Sequence, residues 1–354
     1  MTSGRPPRIR KSPWSSPLLL LLRLAVMGVG LGVIAGTGLK LMSPQLSQGA
    51  VGVPKADPSP RLLMGGGGLT TGRFEPRREL TALSQTWRRL AAAQKGLTAS
   101  GFMLVLDDGR YAQFQPDLAL PAASAIKTPI LLVGLEDLDG GKLRWDEPLT
   151  LTKELVGSGA GWMGNKPVGT RFPFHEAATE MIRVSDNSAT NLLIKRLGGK
   201  QAVNGRFRTL GLPSTAIQNW LPDLDGTNTT SARDLARTIA LVDTSEKLSP
   251  RARDLFREIL SHSNTNTLIP LGMLMALGKE APDPDSELLP MGIAVYNKTG
   301  DIGIAYADAA LIQLPNGQRA VTAFMVKGPF NDPRSADLIR AMAGALARTL
   351  VSKS

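Results

Sequence analysis

Cysteine is absent from the 354-residue chain, which excludes disulfides, thiolate chemistry and cysteine-bound metals. Histidine is almost absent: His175 and His262 stand apart, in no ligand-spaced cluster, so neither a catalytic zinc nor any other cofactor is expected. Aromatic residues make up only 5% of the chain, and its lysines and arginines are scattered instead of forming a basic stripe interleaved with aromatics. The net charge of +11 therefore does not point to a nucleic-acid partner. Charge itself is nearly missing from one stretch, Leu18 to Leu39, where 22 residues contain a single charge, Arg23. That length can span a bilayer, and Arg23 can snorkel toward the headgroups. Arg5, Arg8, Arg10 and Lys11 precede it and few basic residues follow, a distribution that holds the N-terminus in the cytoplasm and sends the rest across. The expectation is a basic cytoplasmic arm at 1–16, a single-pass cell-membrane anchor at 17–42, and the remainder on the periplasmic side. A cleaved signal segment, which would release a secreted protein, fits less well because no convincing A-x-A site follows.

Residues 43–72 are rich in Ser, Pro and Gly and include GGGG at 65–68; ordering them costs too much backbone entropy, so they read as a flexible linker. The chain is 42% hydrophobic, enough for the folded part, expected at 73–352, to bury a sizeable core as a monomer. Leu80, Leu83, Trp87, Leu90 and Ala91 recur at helical spacing ahead of Gly96. SGFMLVLDDGRYAQFQP then reads as two strands around an Asp108-Gly109 turn. From about 121 to 286 the period becomes helical. SAIKTPILLVGLEDLDGG predicts a helix from near Ser124 to Gly140 with Pro129 in its early turns. FHEAATEMIRVSDNSATNLLIKRLGG predicts two helices around a polar interruption, and SARDLARTIALVDT and SPRARDLFREIL predict one more each. MGIAVYNKTG, IGIAYADAALIQLP and RAVTAFMVKG return to strand pattern, and DPRSADLIRAMAGALARTLV supplies a closing helix. Both ends of the folded part thus feed one five-stranded antiparallel sheet with flanking terminal helices, and an all-helical block is inserted between its second and third strands. The expected class is α+β.

Three short motifs carry chemistry. Ser124 and Lys127 lie three residues apart, which on a helix places them on one face within reach of each other. Ser185, Asp186 and Asn187 interrupt two apolar helical runs, where short polar side chains also serve as caps. Lys298, Thr299 and Gly300 end a strand and offer positive charge, a hydroxyl and close backbone approach to an anion. Together they suit acyl transfer. A serine hydroxyl attacks only when a base removes its proton, and Lys127 can be that base if burial and a neighbouring charge such as Lys298 lower its pKa. Ser185 can pass a proton to a leaving amine, Asn187 can orient Lys127 or a substrate carbonyl, and Lys298 with Thr299 can bind a substrate carboxylate. The backbone N–H groups of Ser124 and Asp301 are candidates for stabilising the tetrahedral oxyanion.

This set resembles the signature of class A β-lactamases and penicillin-binding proteins, S-x-x-K, S-D-N and K-T-G, standing here as SAIK at 124–127, SDN at 185–187 and KTG at 298–300. The order of the motifs, the separation of 61 residues from Ser124 to Ser185 and the succession of elements over roughly 75–352 are similar to the class A branch. The resemblance implies a β-lactamase-like fold and a serine hydrolase acylated at Ser124 by a small-molecule β-lactam or a peptidoglycan-like substrate. One part of the pattern breaks. Where class A enzymes carry W-E-P-E-L-N, whose first Glu activates the deacylating water, this chain has Trp220, Leu221, Pro222, Asp223, Leu224 and Asp225. A leucine cannot accept a proton. Slow deacylation is expected unless Asp225 or Asp223 substitutes, and the alternative is that both cap the loop and face solvent. Competing readings are a D-alanyl-D-alanine peptidase or other cell-wall amidase or esterase, and a non-catalytic peptidoglycan-binding envelope protein. His175 and His262 read as surface or capping residues, and Trp162, in GSGAGWMGNKPVG, either lines the mouth of a cleft or anchors its loop.

Overall fold

The computed structural model describes residues 74–244 and 247–351. The chain divides into two units, Met1–Gly66 and Gly67–Ser354, and only the second holds described residues. A two-residue strand β1 (Arg78–Glu79) leads into helix α1 (Thr81–Ala92) and the hairpin β2 (Thr98–Val105) and β3 (Arg110–Phe114). The last part of the chain returns as β8 (Ala294–Asp301), β9 (Ala305–Gln313), β10 (Arg319–Lys327) and the closing helix α10 (Pro333–Leu350). Between them lie the short strands β4 (Leu120–Pro121), β5 (Pro148–Thr150), β6 (Arg171–Pro173) and β7 (Thr229–Thr230), and the helices α2 (Lys127–Asp139), α3 (Phe174–Arg183), α4 (Asn187–Arg196), α5 (Gly199–Thr209), α6 (Ala232–Asp243), α7 (Pro250–Ser261), α8 (Ile269–Ala276) and α9 (Asp285–Leu288).

Among the described residues the main sheet runs β1-β3-β2-β10-β9-β8, with β8 at its edge and paired to β9 alone. The fold is α+β, as expected, but the sheet has six strands, not five: β1 pairs in parallel with β3, Arg78 opposite Arg110 and Glu79 opposite Tyr111. Two residues are too few to show the alternation by which a strand is read from sequence. The central strands β2 and β10 are buried on both faces, which is why they appear as continuous apolar runs. On one face Trp87 of α1 meets Phe324 of β10 edge-on at 5.1 Å between ring centroids, and its indole N–H donates to the Met342 carbonyl of α10 at 2.9 Å. On the other face the small side chains Ala307, Ala309 and Ala323 let α6 pack closely through Ala232, Leu235 and Ala236. The inserted helices have a core of their own, with Ile130, Leu132, Phe174, Met181, Leu193 and Phe207 fully excluded from solvent.

Three further departures from the sequence reading have physical causes. The first motif helix is preceded by a 3-10 turn, Ala123–Ile126, and only then becomes α-helical, so Pro129 falls at the third helical residue where its missing N–H has no partner to lose. Helix α8, IPLGMLMA, shows no polar face although only Ile269, Pro270, Gly272, Met273 and Leu274 are buried and Met275 is exposed; Gly272 meets the Arg340 backbone so closely that a Cβ would lie 2.4 Å from its carbonyl oxygen. Finally, the anchor expected at 17–42, with its flanking arm and linker, lies outside the described residues. Among the described residues no helix is long and apolar enough to cross a membrane. The longest, α10, buries Leu338, Ile339, Met342, Leu346 and Leu350 at helical spacing and carries Arg334, Asp337, Arg340 and Arg348 elsewhere, the pattern of a helix lying on a sheet. The single-pass topology, the membrane as partner and the periplasmic placement drawn from that segment are corrected accordingly and are not carried forward.

Candidate active site

The turn Ala123–Ile126 carries Ser124 at the junction between the sheet and the inserted helices. Ala123 is held at φ +46° and Ser185 at φ +60°, a region unfavourable for residues with a Cβ. Of the four non-glycine residues at positive φ among the described residues, these two sit at or beside the motif serines, the kind of place where surrounding structure enforces a rare conformation. Ser124 stays partly exposed, whereas Lys127, the first residue of α2, is completely buried. The Lys127 Nζ lies 2.9 Å from Ser124 Oγ, 2.9 Å from Ser185 Oγ, 2.6 Å from the Ser185 carbonyl and 2.9 Å from Asn187 Oδ1. Asn187 in turn donates its Nδ2 to the Ser158 carbonyl at 2.8 Å. Four residues from two of the motifs are thus joined through one nitrogen.

The third motif arrives on the end of β8. A Cβ on Gly300 would stand 2.7 Å from both the Ser124 and Ala125 backbone nitrogens, so the strand lies flat against the turn only because position 300 has no side chain. Asp301 follows and is exposed, its carboxylate accepting from Gly303 N at 2.7 Å. Lys298 is fully buried and donates to the Thr299 carbonyl at 2.8 Å, and Thr299 is almost buried beside it. Burial first, then the Lys298 charge, holds the Lys127 amine well below the ordinary lysine value, with Asp186 opposing. Burial likewise lowers Lys298 to about 8, opposed by Asp308. A buried, deprotonation-prone amine against a partly exposed hydroxyl is an arrangement that can shuttle a proton between oxygen and nitrogen.

The sequence model of the Beta-lactamase enzyme family matches residues 82–350, which takes in every one of these groups. The chain belongs to the beta-lactamase enzyme family. Curated members similar to it include beta-lactamases from Streptomyces cellulosae, 27% identical over 315 residues (85% of this chain, 87% of that one), and from Streptomyces albus G, 30% identical over 198 residues (52% and 63%). The match therefore spans less than two thirds of the Streptomyces albus G protein's length. Among solved structures, PBP-A is 39% identical with a TM-score of 0.71, covering 78% of this chain and 98% of PBP-A. A leucine-to-glutamate mutant of PBP-A, solved as an acyl-enzyme complex with penicillin G, gives the same TM-score and identity over 77% of this chain and 98% of that one.

The loop after Trp220 departs from the motif pattern that the sequence resembles. Leu221 is buried, its N–H donating to Asn191 Oδ1 at 2.9 Å and its carbonyl accepting from Asn191 Nδ2 at 2.8 Å, and its bond to Pro222 is cis. The two nearby carboxylates go elsewhere. Asp223 is buried and accepts from Thr227 Oγ1 at 2.8 Å and Asn228 N at 2.6 Å, closing its own loop, while Asp225 is exposed. Asp223 thus has the contacts of a loop cap and Asp225 those of a solvent-facing residue, and neither is hydrogen-bonded to Ser124 or Lys127.

Several contributors to the site are not evident from the motifs. Asp186 accepts from Ala189 N at 2.8 Å as the N-cap of α4 and also from Trp162 N at 2.7 Å and Met163 N at 2.8 Å, tying the glycine-rich loop to the second motif. A Cβ on Gly161 would lie 2.2 Å from the Asp186 carboxylate, which is the reason for glycine there. Trp162 acts as the loop's anchor: its ring meets Phe172 edge-on at 5.9 Å and its indole N–H donates to Glu180 at 2.6 Å. The cap was legible as a short polar residue before an apolar helix; its second use, across 24 residues of chain, was not. His175 rests against Trp145, and His262 donates to the Glu258 carbonyl at 2.7 Å, both apart from the motif residues.

Proposed function

We propose that residues 73–352 form a serine acyl-transfer domain that is acylated at Ser124 by β-lactams or related peptidoglycan amides and releases the acyl group slowly. The observation that carries this reading is the environment of the Lys127 nitrogen. Its neighbours include two groups that only accept, the Ser185 carbonyl and Asn187 Oδ1, and two hydroxyls, Ser124 and Ser185. A neutral amine satisfies the two acceptors with its two N–H bonds and keeps a lone pair for a hydroxyl proton. In the proposed reaction Lys127 takes the Ser124 proton as Oγ bonds to the substrate carbonyl carbon. The oxyanion is held by the N–H groups of Ser124 and Asp301, and the carbon–nitrogen bond then breaks. The leaving nitrogen receives a proton from Ser185 Oγ, which Lys127 replaces. Lys298 and Thr299 hold the substrate carboxylate.

Hydrolysis of the resulting ester needs a base beside a water, and Leu221 supplies none. A leucine at this place, together with the 39% identity to PBP-A, favours a long-lived acyl-enzyme over rapid β-lactam turnover and supports peptidoglycan-type amides as the substrate class. The test is intact mass measured over time after mixing with penicillin G, with peptide mapping of the adduct. One equivalent retained on Ser124, and none on a Ser124→Ala protein, is the expected result. An adduct on another residue overturns the nucleophile; rapid linear hydrolysis with no accumulated adduct overturns slow release; no reaction with any acylating probe favours a non-catalytic binding protein.

A further inference from the structure

Glu180 is a buried carboxylate on α3 that the acyl-transfer steps leave unused. Its side chain accepts from the Trp162 indole N–H at 2.6 Å and from the Arg183 guanidinium at 2.7 Å on each oxygen. Its backbone carbonyl accepts from Asp186 N at 3.1 Å, across the turn in which Ser185 takes φ +60°. Trp162 closes the segment 158–162, which is costly to order because Gly159 and Gly161 stand at φ +86° and +93°. Contacts to the second motif hold one side of that segment. Asn187 donates its N–H to the Ala160 carbonyl at 3.2 Å and its Nδ2 to the Ser158 carbonyl at 2.8 Å, while Trp162 N donates to Asp186 at 2.7 Å. The indole bond to Glu180 gives the segment a second anchor, on a helix whose Phe174, Ala177, Ala178, Met181 and Ile182 are locked in the core of the inserted block.

The Asn187 amide is where this anchoring reaches the site. Its two ends are chemically distinct: Nδ2 donates to the Ser158 carbonyl, which leaves Oδ1 to accept from Lys127 Nζ at 2.9 Å. A Ser158 carbonyl that moves away lets the amide turn over and present an N–H donor to the amine. We propose that Glu180 is a positioning residue for acylation: through the Trp162 indole it fixes the Ser158 carbonyl, which holds the Asn187 amide with its oxygen toward Lys127. The proposal rests on the acyl-transfer reading given above, in which Lys127 takes the Ser124 proton. A turned amide removes one of the two pure acceptors that orient the Lys127 nitrogen toward Ser124 Oγ. Proton transfer then slows, while Lys298 and Thr299, which bind the substrate carboxylate in that reading, are untouched. The loss falls on the limiting rate of acylation and not on binding.

The experiment measures saturation kinetics of acylation by penicillin G in the full chain, which separate the limiting rate from the dissociation constant of the non-covalent complex. Trp162→Phe keeps a ring against Phe172 and removes the indole donor. Glu180→Ala removes the acceptor, whereas Glu180→Gln keeps an oxygen for the indole and loses the charge opposite Arg183. The expected result is a limiting rate lowered about tenfold in Trp162→Phe and in Glu180→Ala, with binding changed less than about twofold and Glu180→Gln within about threefold of the unaltered protein. Glu180→Ala combined with Trp162→Phe should lose no more than either alone, because both cut the same path. A loss confined to binding, an unchanged rate in Trp162→Phe, equal losses in Glu180→Gln and Glu180→Ala, or losses that multiply in the double variant each overturn the proposal and leave the acyl-transfer reading standing. Absence of acylation in the unaltered protein overturns that reading itself. Should Glu180→Ala fail to fold, the other two single variants decide: a loss of about tenfold in Trp162→Phe with little in Glu180→Gln supports the path, and any other pairing overturns it.

Discussion

Single atoms decide whether the turn at Ser124 can present its N–H to a substrate. Because Gly300 faces the Ser124 and Ala125 nitrogens at a distance where a Cβ would sit at 2.7 Å, and those neighbours are backbone, Gly300→Ala has nothing flexible to displace. Acylation by penicillin G is expected to fall about a hundredfold, the scale of losing one oxyanion donor. Unfolding measured in urea should show a smaller effect, because the strand remains paired to β9 along its other edge. Leu221→Glu tests the opposite half of the reaction. If a carboxylate at 221 reaches the ester, the acyl-enzyme mass disappears within the assay while the acylation rate changes little; unchanged persistence of the adduct shows that the loop holds position 221 away. The same substitution places a charge at a buried position clamped by Asn191, so a lowered melting temperature is expected alongside any gain.

At the scale of elements, the glycine-rich loop and helix α4 behave as one piece because Asp186 binds both. Asp186→Ala removes an N-cap, costing about 1 kcal/mol, and leaves the Trp162 and Met163 N–H groups without their acceptor, so a total loss of about 2–4 kcal/mol is expected in urea unfolding. Acylation should fall as well, since Asn187 and Ser185 flank the altered residue. A variant of unchanged stability would show that the loop is held by Trp162 and Ser188 alone, the latter accepting from Gly157 N at 2.9 Å. The elements read correctly from sequence are those with a marked period: α1, α3, α6 and α7 each turn one apolar face inward, and β8 to β10 show strand pattern with turn residues between them. Those missed lack contrast. The α8 segment is apolar all round, α5 opens with Gly199 and has Gly205 inside it, and β1 is two residues long.

Over the whole molecule, burial couples the site to pH. Asp308, raised by burial, binds more protons in the folded chain than in the unfolded one between about 4 and 7, so its contribution to stability is fully present below that window and is lost as pH rises through about 7. Lys298, lowered by burial, does the reverse: its contribution is present above the unfolded lysine value and is lost as pH falls through about 8. Together the two groups favour the fold least between about 7 and 8, where both carry charge. Urea unfolding free energies should decline from pH 4 to 7 in the unaltered protein and decline less in Asp308→Asn; identical slopes would show that Asp308 titrates normally. The three motifs, their order, the acyl-transfer chemistry they suit and the leucine at 221 were all determined by the sequence, because residue type and local spacing carry them. Tertiary structure alone decided that Lys127 is sealed from solvent, that Asp223 closes a loop and Asp225 faces solvent, that Trp162 turns to Glu180, and that Asp308 is buried between Asn297 and the start of α8. Each of these depends on solvent exclusion or hydrogen bonding among groups that meet only in the folded chain, from 5 residues apart at Asp223 and Asn228 to 58 at Lys127 and Ser185, and no local pattern records which groups will meet.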